Sequence, residues 1–251
     1  MTMIRVEKRN CVAVVTLERS VTNPIGLPLV ERLAGELAAL WDDPEVRGVV
    51  LTSANDKFFS IGFNIPELFD LPQGAFERFF QAFNRACIDL YRLPKPTIAA
   101  LKGHAVAGGC ILALCCDYRL IAEGHKLMGL NEIRLGVPIP YPADCMLRAL
   151  VGTCAAREVA DSGEFYESET LLEMGMVDHI LPSEAILPAA VDKARALGEM
   201  PPEAFALIKH YRTEPIVAQI LAHLPESEQR FVERWYSEET RGRLREAMKR
   251  F

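Results

Sequence analysis

Between Ala105 and Leu120 the chain reads "AVAGGCILALCCDYRL". Two adjacent glycines, Gly108 and Gly109, open an apolar run that only a buried helix can use, and Asp117 closes it. Upstream, "TIAALKG" (97–103) is strand-like; downstream, "YRLIAE" (118–123) reads as another strand. A helix starting near Gly109 leaves its first N–H groups without intrahelical acceptors, at the positive end of the helix. Glycine keeps side chains away, so a ligand oxygen can come close to a bare amide. Such a place suits a carbonyl oxygen that turns negative during a reaction. A tight strand-to-helix turn would use the same two glycines, and the pair alone does not separate these readings.

A second loop sharpens the choice. The β-branched "VRGVVLTS" (46–53) is a buried strand, and "FFSIGFNI" (58–65) is a strand end running into a loop centred on Gly62. The amide of Phe63, just after that glycine, is potentially free, as are the first amides of the helix near Gly109. Two glycine-containing loops, each ending a strand, could supply the two donors of an oxyanion hole.

Further outward, "IRVEKR" (4–9) and "CVAVVTLE" (11–18) are strands with Asn10 in their turn, and residues 28–41 form an amphipathic helix. Another helix fits 76–90, stopped by the prolines of "RLPKP". "PADCMLRALVG" (142–152), "CAAREVAD" (154–161) and "ESETLLEMG" (167–175) read as short helices, and "VDHILP" (177–182) as a strand. From Ser183 onward the pattern is helical. Strands alternating with helices and then helices alone predict an α/β core, residues 1–195, followed by a helical region, 196–251.

Composition agrees with a globular enzyme of 251 residues: half apolar, a quarter charged. The net charge of −6 argues against a general affinity for nucleic acid or anionic membranes. Seven cysteines, an odd count without a C-x-x-C pair, read as buried reduced thiols rather than disulfides or metal ligands. The start "MTMIRVEKRN" has no apolar signal region, and no run is long enough to span a membrane, so the expected location is the cytoplasm.

With both loops in view, the chain resembles the enoyl-CoA hydratase/isomerase, or crotonase, superfamily, whose members carry an F-x-x-G-x-D-like loop and a G-G loop leading into a buried helix. Here these are "FSIGFNI" and, about 45 residues on, "AVAGGCILALCCD". The resemblance runs in outline from the first strands to the last helices and is strongest over 46–152. It implies a crotonase-type ββα spiral core with a C-terminal α-helical region, and an acyl-CoA thioester held by the amides of Phe63 and Gly108. Ile61, Gly62, Asn64, Ile65, Gly109 and Asn131 join these two as expected substrate-binding residues. No metal and no separate cofactor is implied, since coenzyme A is part of the substrate.

Hydratases of this superfamily use two glutamates. At the first position this chain has Ile111, which cannot carry a proton; the second survives as Glu132 in "MGLNEIRLG" (128–136). The stretch is similar to that of mitochondrial-type Δ3,Δ2-enoyl-CoA isomerases, whose base is the glutamate of a G-L-N-E motif. That resemblance implies Glu132 as the single base, moving a proton from C2 to C4. Dienoyl-CoA isomerases place a second acid eight residues on, where this chain has Pro140. Two alternatives stay open: a hydratase or another acyl-CoA lyase or hydrolase that recruits Asp144, and, given Ile111 and Asn64, a catalytically silent acyl-CoA-binding protein. His104 reads as a structural hydrogen-bonding residue. Lys57, Lys95, Lys102 and Lys126 are phosphate candidates without an assignment. The tail aromatics Phe205, Tyr211, Phe231, Trp235 and Tyr236 read as core, and the resemblance implies a tail that packs between subunits of a homotrimer, or dimer of trimers, and partly covers the acyl pocket.

Overall fold

A computed structural model describes residues 3–249. In chain order the elements are β1 (Ile4–Arg9), β2 (Val12–Leu17), α1 (Leu27–Asp42), β3 (Gly48–Ser53), β4 (Phe58–Ser60), α2 (Ile65–Phe69), α3 (Gln73–Arg92), β5 (Thr97–Leu101), β6 (His104–Val106) and α4 (Gly108–Leu114). They continue with β7 (Tyr118–Ala122), β8 (Leu127–Gly129), α5 (Glu132–Leu135), α6 (Tyr141–Ser162), β9 (Phe165–Glu167), α7 (Ser168–Glu173), β10 (His179–Leu181), α8 (Ser183–Gly198), α9 (Pro202–Trp235) and α10 (Glu238–Met248).

Six strands form a large sheet in the order β1-β2-β3-β5-β7-β10, parallel except for the antiparallel β1–β2 hairpin. Both faces are covered, which is why β2, β3 and β5 are buried along their whole length and read as continuous apolar runs. On one face Val12, Val14, Val50, Ile98, Ala100 and Leu120 pack under Ile186, Ala190 and Ala194 of α8. The neighbouring residues Ala13, Val15, Val49, Leu51, Ala99 and Ile121 point into the main core with α1 and α3.

The second sheet, β4-β6-β8-β9, takes its first three strands from those that directly follow β3, β5 and β7, and its edge strand β9, antiparallel to β8, from the chain after α6. The chain thus repeats strand, strand, helix: β3-β4-α2, β5-β6-α4, β7-β8-α5. This is the ββα spiral. Since β4, β6 and β8 run parallel, the loops leaving their C-terminal ends emerge side by side. Loops at that end of a parallel sheet are the usual place for a site.

Some sequence expectations shift. The helix over 76–90 starts one turn earlier, at Gln73, and the helix at the double glycine starts at Gly108. The break between "PADCMLRALVG" and "CAAREVAD" is a single non-helical residue, Gly152, inside α6. The short strands β8 and β9 had no three-residue signal to betray them. Cys87, Cys110, Cys115, Cys116 and Cys145 are buried and all seven thiols are free, but Cys11 is half-buried and Cys154 is exposed, because the latter lies on the outer face of α6. Among the tail aromatics Phe231 and Trp235 are core, whereas Tyr211 stands out in solvent at 70% exposure. No helix among the described residues is long and apolar enough to cross a membrane.

Candidate active site

Small-sheet order sets the site. The loop after β4 carries Ile61 to Asn64, the turn after β6 carries Ala107 and Gly108, and β8 leads through Asn131 to Glu132. Three neighbouring strand ends therefore deliver two backbone amides and one carboxylate to the same place.

The first amide is freed by a parallel bridge. Ile25 donates its N–H to the Gly62 carbonyl at 2.8 Å and accepts the Asn64 N–H at 2.8 Å, so Phe63 between them faces the other way. The Phe63 N–H has no acceptor among the described residues. Its ring is held edge-on by Phe79 and Phe83, with centroids 5.0 and 4.9 Å away, which anchors the loop. Gly62 adopts φ +89°, and a Cβ there would lie 2.9 Å from both the Gly108 nitrogen and the Val106 carbonyl. Only glycine allows the loops to touch this closely.

The second amide is freed by a strained residue. Ala107 has φ 47° and ψ −117°, a conformation that costs a non-glycine residue about 1–3 kcal/mol. Its N–H donates to the Gly129 carbonyl of β8 and its carbonyl accepts from Ile111, both at 2.9 Å. That carbonyl points down α4, so the N–H of Gly108, on the opposite side of the same trans peptide, points out of the helix start. It too has no acceptor among the described residues.

Glu132 is the first residue of the one-turn helix α5 and only 6% exposed. Burial pushes its carboxyl from 4.5 up to about 7, and its Oε2 has no hydrogen-bond partner. Asn131 Oδ1 beside it is also unpartnered. A cavity of about 1080 Å³ joins these groups, with Ile61, Phe63, Ile65, Gly108, Asn131 and Glu132 all in its wall. Residues the sequence did not single out also line it: the apolar Val106, Leu135, Val137 and Phe165, Gly242, Arg243 and Ala247 of α10, and the exposed carboxylates of Glu164, Glu238, Glu239 and Glu246. Phe231 and Trp235 close one side, stacked at 4.0 Å on Phe80 and 4.4 Å on Phe76. The resemblance implied that the tail partly covers an acyl pocket; which of its aromatics reach the wall was not visible in the sequence.

Other sequence candidates fall outside the cavity. Gly62 and Gly109 shape the loops, Gly109 because the Ser60 carbonyl leaves no room for a Cβ. Asn64 binds Glu67 at 2.5 Å, and Glu67 binds Arg19 at 2.6 Å, so the residue standing at the aspartate position of the F-x-x-G-x-D pattern braces the first loop. Ile111 is buried in the main core. Asp144 pairs with Arg148 at 2.8 Å and does not reach the wall. His104 accepts the Leu127 N–H at 3.0 Å through Nδ1, the structural bond its position suggested. Lys95 caps the carbonyls of Leu40 and Asp43, and Lys102 pairs with Asp56. Burial raises the Cys110, Cys115 and Cys116 thiols, which removes them as nucleophiles.

Comparison with known proteins places this geometry. The pattern described as "Enoyl-CoA hydratase/isomerase" matches residues 7–251. The chain belongs to the enoyl-CoA hydratase/isomerase family. Within that family, human mitochondrial enoyl-CoA delta isomerase 1 is 28% identical over 88% of this chain and 74% of its own length. Short-chain-enoyl-CoA hydratase of Clostridium acetobutylicum is 29% identical over 81% of this chain and 78% of its own. The crystal structure of the human mitochondrial delta3-delta2-enoyl-CoA isomerase superposes with a TM-score of 0.95 at 26% identity, covering 99% of this chain and 98% of that one. Isomerase and hydratase relatives thus lie at similar identity, and the family's crotonase fold is this chain's fold.

Proposed function

We propose that this family member is a Δ3,Δ2-enoyl-CoA isomerase with one catalytic carboxylate. The observation that carries the reading is Glu132: buried in the wall of the cavity and unpartnered at Oε2, whereas the other carboxylates described in that wall, Glu164, Glu238, Glu239 and Glu246, are exposed to solvent. Ile111 lies in the core and Asp144 is engaged by Arg148, so neither supplies the second acid that helps water addition.

In this mechanism the thioester oxygen of a 3-enoyl-CoA sits between the Phe63 and Gly108 amides. Glu132 takes a proton from C2, the electron pair moves through C1 onto the oxygen, and a dienolate forms. The two N–H groups stabilise the oxyanion. The protonated Glu132 then returns the proton to C4, the double bond settles between C2 and C3, and the carboxylate is restored. An apolar cavity suits both halves of the cycle: it raises the basicity of the carboxylate and keeps water from the dienolate. A carboxyl near pH 7 is matched to taking and giving a proton at neutral pH.

The test sets two assays side by side: conversion of 3-enoyl-CoA esters of several chain lengths to the conjugated 2-enoyl-CoA, and water addition to 2-enoyl-CoA. Isomerisation should dominate. Hydration faster than isomerisation at every chain length would overturn the proposal, and CoA-ester binding with no turnover would favour a silent binding protein.

A further inference from the structure

A four-residue helix cannot hold itself in place. In α5 the carbonyls at the C-terminal end have no following turn to bond to, and isolated single turns are unstable in water. Yet this turn carries Glu132 as its first residue. Its fastening comes from far along the chain. The Gly136 carbonyl, at the αL residue ending α5, accepts Thr240 Oγ1 at 2.9 Å and both Nε and an Nη of Arg234, at 3.2 and 3.1 Å. Arg243 donates to the Arg134 carbonyl at 3.4 Å. The Val137 N–H returns to the Glu132 carbonyl at 3.2 Å, so holding Gly136 holds the backbone of Glu132 itself.

The fit is close. Thr240 is fully buried, and its hydroxyl would lie 3.0 Å from any Cβ placed on Gly136, whose φ is +82°. The same corner reaches the other half of the site. Tyr236 donates to the Leu71 carbonyl at 2.6 Å and Arg241 to the Phe69 carbonyl at 2.6 Å, at the far end of α2, the helix that starts right after the Phe63 loop. Ser237 caps α10 by accepting the Thr240 N–H at 3.3 Å, which sets the Thr240 side chain toward α5.

We infer that Thr240 and Arg234 are positioning residues for Glu132, acting through the shared Gly136 carbonyl to keep the carboxylate buried and aimed into the cavity. Exposed Glu238 and Glu246 of α10 share the cavity wall, and the buried Cys110 thiol of α4, kept protonated by desolvation, is close enough to sense Glu132. The charged groups bonded around α5 are its own Arg134, Glu164 after α6, Arg234 at the end of α9, and Glu239 and Arg243 of α10. These pair with one another at the surface, and the rise in the Glu132 carboxyl comes from burial alone. Loosening α5 should therefore let water in and lower that value. This role rests on Glu132 being the base, and the test needs a readout independent of turnover.

The experiment compares wild type, Thr240→Val, Thr240→Ser and Arg234→Met. Threonine to valine keeps the volume and removes the hydroxyl; serine restores it. The Glu132 carboxyl is titrated directly by carbon NMR on glutamate-labelled protein, with Glu132→Gln identifying the resonance, and isomerase kcat and KM are measured alongside. Thr240→Val should bring the Glu132 titration down by about one unit and cut kcat roughly tenfold, with KM within about twofold; Thr240→Ser should recover both. Arg234→Met, altering a half-exposed side chain, should move both readouts the same way by less and covers the case in which Thr240→Val does not fold. An unchanged Glu132 titration in folded Thr240→Val, or in Arg234→Met if the valine variant is unfolded, overturns the inference. A shifted titration in a protein without isomerase activity upholds it and places the fault in the proposed reaction instead.

Discussion

The two halves of the site are built from different materials. In the proposed reaction the oxyanion half is backbone: two amides at the ends of β4 and β6, freed by the Ile25 bridge and by the turn at Ala107. The base half is a side chain on one turn of helix, fastened by residues about a hundred positions away. Backbone amides carry the same chemistry whatever the residue, so that half is sensitive only to what blocks the approach. A carboxylate is useful only in the right environment, so the other half is sensitive to identity, burial and support together.

The largest expected effect breaks the base half. Glu132→Gln keeps the shape but removes the basic oxygen, and isomerisation should fall by at least ~10²–10⁴-fold while binding of a saturated acyl-CoA changes little. The same variant should gain stability. Because the folded carboxyl titrates near 7 and the unfolded one near 4.5, the folded state binds more protons between those values. Stability from this group therefore falls as pH rises from 4.5 to 7, and the whole penalty, up to about 3 kcal/mol, is present above 7. Thermal unfolding should show Glu132→Gln more stable than wild type at pH 8 and matched to it at pH 4. Equal stability at both would mean that the carboxylate is not desolvated.

Next comes the oxyanion half. A Cβ on Gly108 would press on Ile25 Cδ1 and Phe63 Cδ1 at 3.2 Å and on Gly62 at 3.3 Å, and the branches of valine go further into the approach to the amide. Gly108→Val should cost ~10²–10³-fold in kcat, the worth of one oxyanion donor, with circular dichroism showing an intact fold. Near-normal kinetics in the folded variant would take Gly108 out of the site. The smallest effect is the sharpest discriminator. Asp144→Asn removes an ion pair with Arg148 away from the cavity, and isomerase activity should stay within about twofold of wild type. A large loss would bring Asp144 into the chemistry and revive the hydratase reading.

Much of this comparison was legible in the amino-acid sequence. Two glycine loops after strands are local signals, because glycine pairs and β-branched runs each reflect a constraint acting within a few residues; the glutamate of G-L-N-E stood out only through the family resemblance. The alternation that predicts an α/β core with a helical tail is equally local, and so is the break at Gly152. Ala107 was not legible: nothing in an alanine announces φ 47°, which the Gly129 and Ile111 bonds impose from outside. Nor was it legible which tail residues line the cavity: Gly242, Arg243 and Ala247 of α10, with Phe231 and Trp235 in the wall and Tyr211 in solvent.

What the sequence by itself determined was two glycine loops, each ending a strand, and one glutamate between apolar segments; that these are two bare amides and a base, with isoleucine where a second acid would stand, is what the family resemblance implied. Only the tertiary structure decided that these groups meet, since their meeting depends on β4, β6 and β8 lying in one parallel sheet. It alone decided, too, that Glu132 has the basicity of a group near pH 7. That property belongs to no residue; it comes from excluding water around a carboxylate, and the residues that exclude it are brought there from every part of the chain.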